Sequence, residues 1–137
     1  MDIKSNITEF ISKYYMLNRA KVCDDITFFT QEINRLVDGT ILSVSSGEEC
    51  LNWTIPKKWT VNQAWIKNSK GENIVNSECH PLQLMTYSNS FQGVLSKKVL
   101  LKNIKTDEKR PDCLIYNHGQ QYKFNNYPDW GFSLPYN

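Results

Sequence analysis

The sequence predicts an α+β protein, two N-terminal helices followed by a β-rich domain. Three observations carry this reading. Two apolar stripes at helical spacing precede Gly39, the apolar period shifts from about 3.6 to 2 after it, and turn-bounded β-branched runs follow through the rest of the 137 residues. The expected division is a helical lead-in over 1–45 and a β-rich domain over 46–137.

The first helix rests on Phe10, Ile11, Tyr14, Tyr15 and Leu17, which close one helical face, with Asn6-Ile7-Thr8-Glu9 as capping residues and bounds of about 7 to 18. The second rests on Ile26, Phe29, Ile33, Leu36 and Val37. It follows the acidic pair Asp24-Asp25 and stops before Gly39, expected as a left-handed cap. Thr40 to Ser45 is short, β-branched and bounded by Ser46-Gly47, which suits a strand. Ala64 to Lys67 and Asn73 to Val75 flank Asn68-Ser69-Lys70-Gly71, a good hairpin connection. Leu82 to Tyr87 and Cys113 to Tyr116 are further strand candidates, separated by the polar stretch from Lys102 to Asp112. Ser96 to Ile104 is ambiguous between a short helix and a strand, since Val99, Leu100 and Ile104 fit neither period cleanly. The tail holds Phe124, Tyr127, Trp130, Phe132 and Tyr136, too much apolar surface to leave in water.

Composition narrows the class. Hydrophobic residues make up 40% and charged residues 22%, which excludes disordered and fibrous chains. A chain of this length can bury roughly two-thirds of its unfolded surface. Sixteen Lys and Arg against 14 Asp and Glu leave a formal charge of +2, with Lys97-Lys98 and Lys109-Arg110 the densest pairs, so no nucleic-acid partner is expected. No apolar run reaches the roughly 18 residues of a membrane helix. Met1 to Ser5 lacks the basic and then apolar order of a secretory signal, and a cytoplasmic location with no membrane partner is the expectation. The acceptor patterns Asn6-Ile7-Thr8 and Asn52-Trp53-Thr54 carry meaning only in a secretory compartment.

Cys23, Cys50, Cys79 and Cys113 lie far apart with no C-x-x-C spacing, and read as free thiols. Glu78-Cys79-His80-Pro81 brings together three zinc-ligand types. Adjacent residues of an extended chain project to opposite faces, however, and His118 is the only other histidine. A thiol or metal enzyme built on Cys79 and His80 therefore ranks last. No G-x-S-x-G, phosphate-binding glycine loop or H-E-x-x-H occurs. Trp53, Trp59 and Trp65 recur at intervals of six and offer either core packing or stacking platforms; Gln120-Gln121-Tyr122 and Asp129 offer polar ligand contacts or solvated loops.

Several of these segments together resemble a bacterial family of aminopeptidase-like zinc hydrolases, many members of which carry a C-terminal winged-helix domain. Leu17-Asn18-Arg19 leads into a helix. Ser46-Gly47-Glu48-Glu49 then leads into Trp53-Thr54-Ile55-Pro56-Lys57-Lys58-Trp59, similar to that family's S-G-T and W-x-V-P-x-x-W stretches. Gln63 to Glu72 fits the hairpin that follows. Leu82 to Ser88 resembles the L-H-x-x-x-Y-S strand, with Gln83 at the histidine position, and Asp129-Trp130-Gly131-Phe132 matches the last signature. Tyr122 and Tyr127 stand apart where a Tyr-Tyr pair is usual. The resemblance implies the N-terminal third of such a protein: helices that open a catalytic α/β domain, then an inserted accessory domain from about Cys50. Its zinc motif, H-x-C-H-P followed by N-D-N, comes after W-G-F in the family. Cys79-His80-Pro81 precedes Trp130 and has Ser77 in place of the first histidine. The resemblance thus implies a chain with no catalytic residue and no metal ligand of its own, zinc being held only in a full-length member. The missing catalytic segment or a second copy would be its partner. The alternative is a self-sufficient module binding carbohydrate or peptide.

Overall fold

The computed structural model describes residues 3–18, 20–76, 78–117 and 129–136. The chain forms two compact units, Met1–Thr60 and Val61–Asn137. Helices and small sheets make it an α+β protein.

In the first unit α1 spans Ile3–Tyr14 and α2 spans Asp24–Asn34. α1 starts and ends earlier than the pattern suggests. Asn6 and Thr8, expected as caps, lie inside it, and the Thr8 hydroxyl donates back to the Lys4 carbonyl at 2.9 Å. After Tyr14 the Leu17 N–H closes a turn on the Tyr14 carbonyl at 3.1 Å, and the Asn18 N–H donates to the Asp25 carboxylate at 2.7 Å. Asp24 and Asp25 sit in the first turn of α2, where the helix dipole favours negative charge. α2 ends at Asn34 with Arg35 in right-handed conformation, its N–H on the Gln31 carbonyl at 3.2 Å, while the Leu36 and Val37 N–H groups close on the Ile33 carbonyl. Gly39 is therefore not the expected left-handed cap; among the described residues the glycines with positive φ are Gly47 and Gly71.

An aromatic cluster joins the two helices. Tyr14 packs on Phe10, Phe29 and Phe28, with ring centroids 4.8, 5.5 and 6.3 Å away. Beside it Glu32, 8% exposed, accepts from the Tyr14 hydroxyl at 2.6 Å and from Lys13 Nζ at 3.4 Å, and pairs with Arg35. A carboxylate this buried persists only when hydrogen-bonded to charged or hydroxyl donors.

Residues 40–45, read as a strand, join no ladder among the described residues. A strand needs a neighbour's backbone, and none is offered here. Gly47, at φ +92°, turns the chain so that its N–H reaches the Ile55 carbonyl at 2.9 Å. This seats a short hairpin of β1 (Glu49–Cys50) and β2 (Trp53–Thr54), with Cys50 opposite Trp53.

The second unit opens on the expected hairpin, β3 (Trp65–Lys67) against β4 (Asn73–Asn76), with Ile66 opposite Val75 and a bulge after Ile66. Its connection is built by Asn68, whose Oδ1 accepts from the Lys70 and Glu72 amides at 2.9 and 3.0 Å, and by Gly71 at φ +82°. Leu82 to Tyr87 is not a regular strand: Pro81–Gln83 form a 3-10 turn, Leu84 makes one antiparallel bridge to Phe132, and Tyr87 is left-handed at φ 62°. The ambiguous stretch divides into α3 (Lys97–Leu100), a 3-10 turn (Leu101–Asn103) and β5 (Ile104–Lys105).

β6 (Phe132–Ser133) runs parallel to β5, Ile104 opposite Phe132, so Phe132 lies between β5 and Leu84. Val75, Met85, Tyr87, Phe132 and the wholly buried Ser133 form the core here. Cys113 to Tyr116 is likewise no strand. Its Ile115 N–H is met by the Ser133 hydroxyl oxygen at 2.6 Å, a side chain taking the place of a ladder.

Candidate functional site

The residues singled out by their chemistry resolve one by one. His80 caps the Pro81–Gln83 turn, its Nδ1 accepting from the Leu82 N–H at 3.1 Å. A lone pair used this way is withdrawn from metal binding, and in the neutral ring the proton sits on Nε2. Glu78 turns towards Asn76, its Oε2 accepting from Nδ2 at 3.1 Å, while Cys79 is exposed with its backbone N–H on the Asn76 carbonyl. The run Glu78-Cys79-His80 is thus the turn that follows β4. Among the described residues no group of three or more His, Cys, Asp or Glu is placed to hold a metal ion. His118, Ser77, Arg19, Gln120, Gln121, Tyr122, Phe124 and Tyr127 lie outside the described residues.

All four cysteines are free: Cys23 buried, Cys50 half-buried, Cys79 and Cys113 exposed. Burial pushes the Cys23 thiol up, the backbone bond at Ile26 opposes this, and the Asp25 carboxylate adds to the rise. Its Sγ donates to the Asn18 carbonyl at 3.0 Å. A thiol held protonated in this way has the opposite of the character a nucleophile needs. Elsewhere, in the exposed turn 107–110, the Arg110 guanidinium bonds Asp107 at 2.7 Å and holds its carboxyl below the ordinary 3.8.

The tryptophans divide between the units. Trp53 and Trp59 belong to the first and Trp65 to the second, so the interval of six builds no three-ring platform within either. Trp53 and Trp65 are 43% and 45% exposed, and each carries a lysine ammonium near its ring, Lys21 at 5.9 Å and Lys67 at 4.7 Å from the centroid.

An open groove of about 410 Å³ lies in the first unit. α2 supplies Ile26, Thr27 and Thr30, the unladdered segment supplies Leu42 and Val44, and Trp53 closes one side. Thr27 and Thr30 spend their hydroxyls on the Cys23 and Ile26 carbonyls, at 3.4 and 2.8 Å. Lys21 and Ser43 also line it, so the slot mixes apolar side chains with an ammonium and hydroxyls.

In the second unit the match to Asp129-Trp130-Gly131-Phe132 is a packing junction. Trp130 stacks on Phe91 at 5.0 Å with planes 10° apart, and the Gly131 carbonyl accepts from Met85 N–H at 2.9 Å. A Cβ on Gly131 would stand 3.0 Å from the Asn103 carbonyl oxygen, so glycine is demanded by close approach. Asp129 is exposed and its carbonyl accepts from Asn89 N–H. Gln83, at the histidine position of the resemblance, has its side-chain oxygen buried without a hydrogen-bond partner among the described residues. The sequence reading passed over Glu32, Phe91 and Ser133. Glu32 alone had a signal, a carboxylate three residues after Phe29 on the apolar side of α2.

Comparison with known proteins places this arrangement. A Clostridium acetobutylicum protein named for polysaccharide biosynthesis, with an aminopeptidase-like domain, is 33% identical over 97 residues; the match covers 71% of this chain and 21% of that protein. A crystal structure from the same organism, titled as a peptidase, superposes with a TM-score of 0.84 at 25% identity, covering 96% of this chain and 30% of the other. The chain therefore spans about a fifth of the length of its curated relative and under a third of the solved one. A profile of the domain of unknown function DUF2172 matches residues 58–137, close to the second unit and more than half of the sequence. On that match, the chain belongs to the DUF2172 family.

Proposed function

We propose that this chain is the non-catalytic, N-terminal accessory part of an aminopeptidase-like zinc metallohydrolase, with the zinc-binding half on other sequence. The observation that carries the reading is uncovered apolar surface on the first unit. Ile3, Ile7 and Ile11 on α1 are 75%, 54% and 57% exposed, and Leu42 in the unladdered segment is 86% exposed. Such surface asks for a partner, and the relatives matched here are several times longer than the match. On this reading residues 1–45 open the catalytic domain, 46–137 form the accessory insert that shapes a substrate cleft, and the partner is the catalytic segment or, in its absence, a second copy. Zinc belongs to the full-length cytoplasmic protein, in which a C-terminal winged-helix domain also fits the resemblance. No described helix is long and apolar enough to cross a membrane.

Elemental analysis for zinc and light scattering on the purified chain test this. The expected result is a metal-free protein that self-associates and brightens an apolar dye. Stoichiometric zinc, or a monodisperse monomer indifferent to the dye, refutes it.

The half-exposed indoles favour a second reading, a stand-alone module for carbohydrate or peptide. Both Trp53, at the groove, and Trp65 offer a ring to stack on. Quenching of their fluorescence by an oligosaccharide or peptide, lost in Trp53→Ala, supports it; unchanged emission at saturating ligand rejects it.

A further inference from the structure

Asp38-Gly39 is the only Asp-Gly pair in the sequence, and no Asn-Gly pair occurs. Both residues are exposed and lie between the turn that follows α2 and the unladdered segment 40–45. The Asp38 carboxylate and the Gly39 N–H have no hydrogen-bond partner among the described residues. The other aspartates described with partners differ in this respect. Asp24 pairs with Lys58, Asp25 accepts from Asn18, and Asp107 accepts from Arg110.

We infer that Asp38-Gly39 is a site of spontaneous backbone modification, where aspartate converts to isoaspartate. The Gly39 amide nitrogen attacks Asp38 Cγ and a C–N bond forms. The carboxyl C–O bond breaks, and the leaving oxygen departs as water with the amide proton and one from solvent. One water then opens the five-membered imide. Attack at the main-chain carbonyl leaves the chain running through Cβ; attack at the other carbonyl restores aspartate. No oxidant or cofactor enters. Two features promote the first step: glycine has no Cβ to obstruct the ring, and an N–H with no acceptor is free to rotate and ionise.

The consequence falls on the groove. The product inserts one methylene into the backbone just before Leu42, Ser43 and Val44, which form one wall. An extra backbone atom at residue 38 lengthens the link between α2 and that wall, and so shifts Leu42, Ser43 and Val44 against Ile26, Thr27 and Thr30 of α2. The free α-carboxylate created at residue 38 is the group an S-adenosylmethionine-dependent isoaspartyl carboxyl methyltransferase recognises.

The test ages the full chain at neutral pH and physiological temperature, then cleaves it with trypsin. The peptide 36–57, released at Arg35 and Lys57, is expected to split into two chromatographic species of equal mass. The later-formed one should take up labelled methyl from S-adenosylmethionine and an isoaspartyl methyltransferase. Asp38→Glu should abolish the second species and Gly39→Ala should slow it several-fold, both exposed changes that leave the core untouched. A single unlabelled species from the aged chain, when the isolated peptide isomerises under the same conditions, overturns the inference. Equal isomerisation in Asp38→Glu would place the modification elsewhere and overturn it too.

Discussion

The link between the two helices is the contact whose loss should be felt most in the first unit. Glu32 is 8% exposed and receives the Tyr14 hydroxyl at 2.6 Å, whereas its cationic partners Lys13 and Arg35 have side chains 62% and 72% exposed. The solvated pairs contribute little, about 0 to 1 kcal/mol each. The bond from a buried hydroxyl to a carboxylate is worth about 1.5 to 3 kcal/mol. Glu32→Ala should therefore cost about 2 to 4 kcal/mol, most of it through Tyr14. For a unit of this size that corresponds to a fall in Tm of very roughly 10 to 25 °C. Tyr14→Phe keeps the ring in the aromatic cluster and removes only the hydroxyl, so it isolates the bond. Unfolding of the full chain in urea, followed through Trp53 and Trp59 fluorescence, gives the single and double mutants for a thermodynamic cycle. The expected coupling between Tyr14→Phe and Glu32→Ala exceeds about 1 kcal/mol. A coupling below about 0.3 kcal/mol, within the additivity of independent sites, would show that the aromatic cluster alone holds the helices and that the carboxylate is incidental.

Two further predictions concern the second unit and the thiols. Gly131→Ala brings a methyl to 3.0 Å from the Asn103 carbonyl and against Met85, so a loss of about 1 to 3 kcal/mol is expected, read as a lower midpoint in urea; an unchanged midpoint would deny the close approach. With a disulfide reagent near neutral pH, the exposed Cys79 and Cys113 should react first and the buried Cys23, its thiol pushed up by burial, last. As pH rises the Cys23 reaction should remain the slowest until the fold opens, and mass mapping of the labelled peptides checks the order.

The helices were readable because amphipathic spacing is local. Phe29 and Ile33 needed no knowledge of the rest of the chain to mark α2, and Asn68 with Gly71 marked the β3–β4 turn through their own backbone preferences. Their boundaries were not readable. α1 stops at Tyr14, and the chain after it is held by Asn18 on Asp25, a contact between segments. Gly39, the expected cap, was left unused because Arg35 closes α2 first. The run from Thr40 to Ser45 has strand composition and no ladder, since pairing depends on what lies alongside. The candidate chemistry divided in the same way. Cys79 and His80 are ligand types in sequence, but His80 is already committed as a turn cap.

The sequence by itself determined the α+β class, the existence of two helices, one hairpin and the kinship signalled from Trp53 to Phe132, because periodicity, turn chemistry and motif letters are properties of neighbouring residues. The tertiary structure alone decided that Ser133 meets Ile115, that Phe132 lies between Ile104 and Leu84, and that Glu32 bridges to Tyr14. Those pairings join residues 18 or more positions apart. Each chosen partner satisfies a buried polar group or covers an apolar one, a condition that is defined only after the chain has closed on itself.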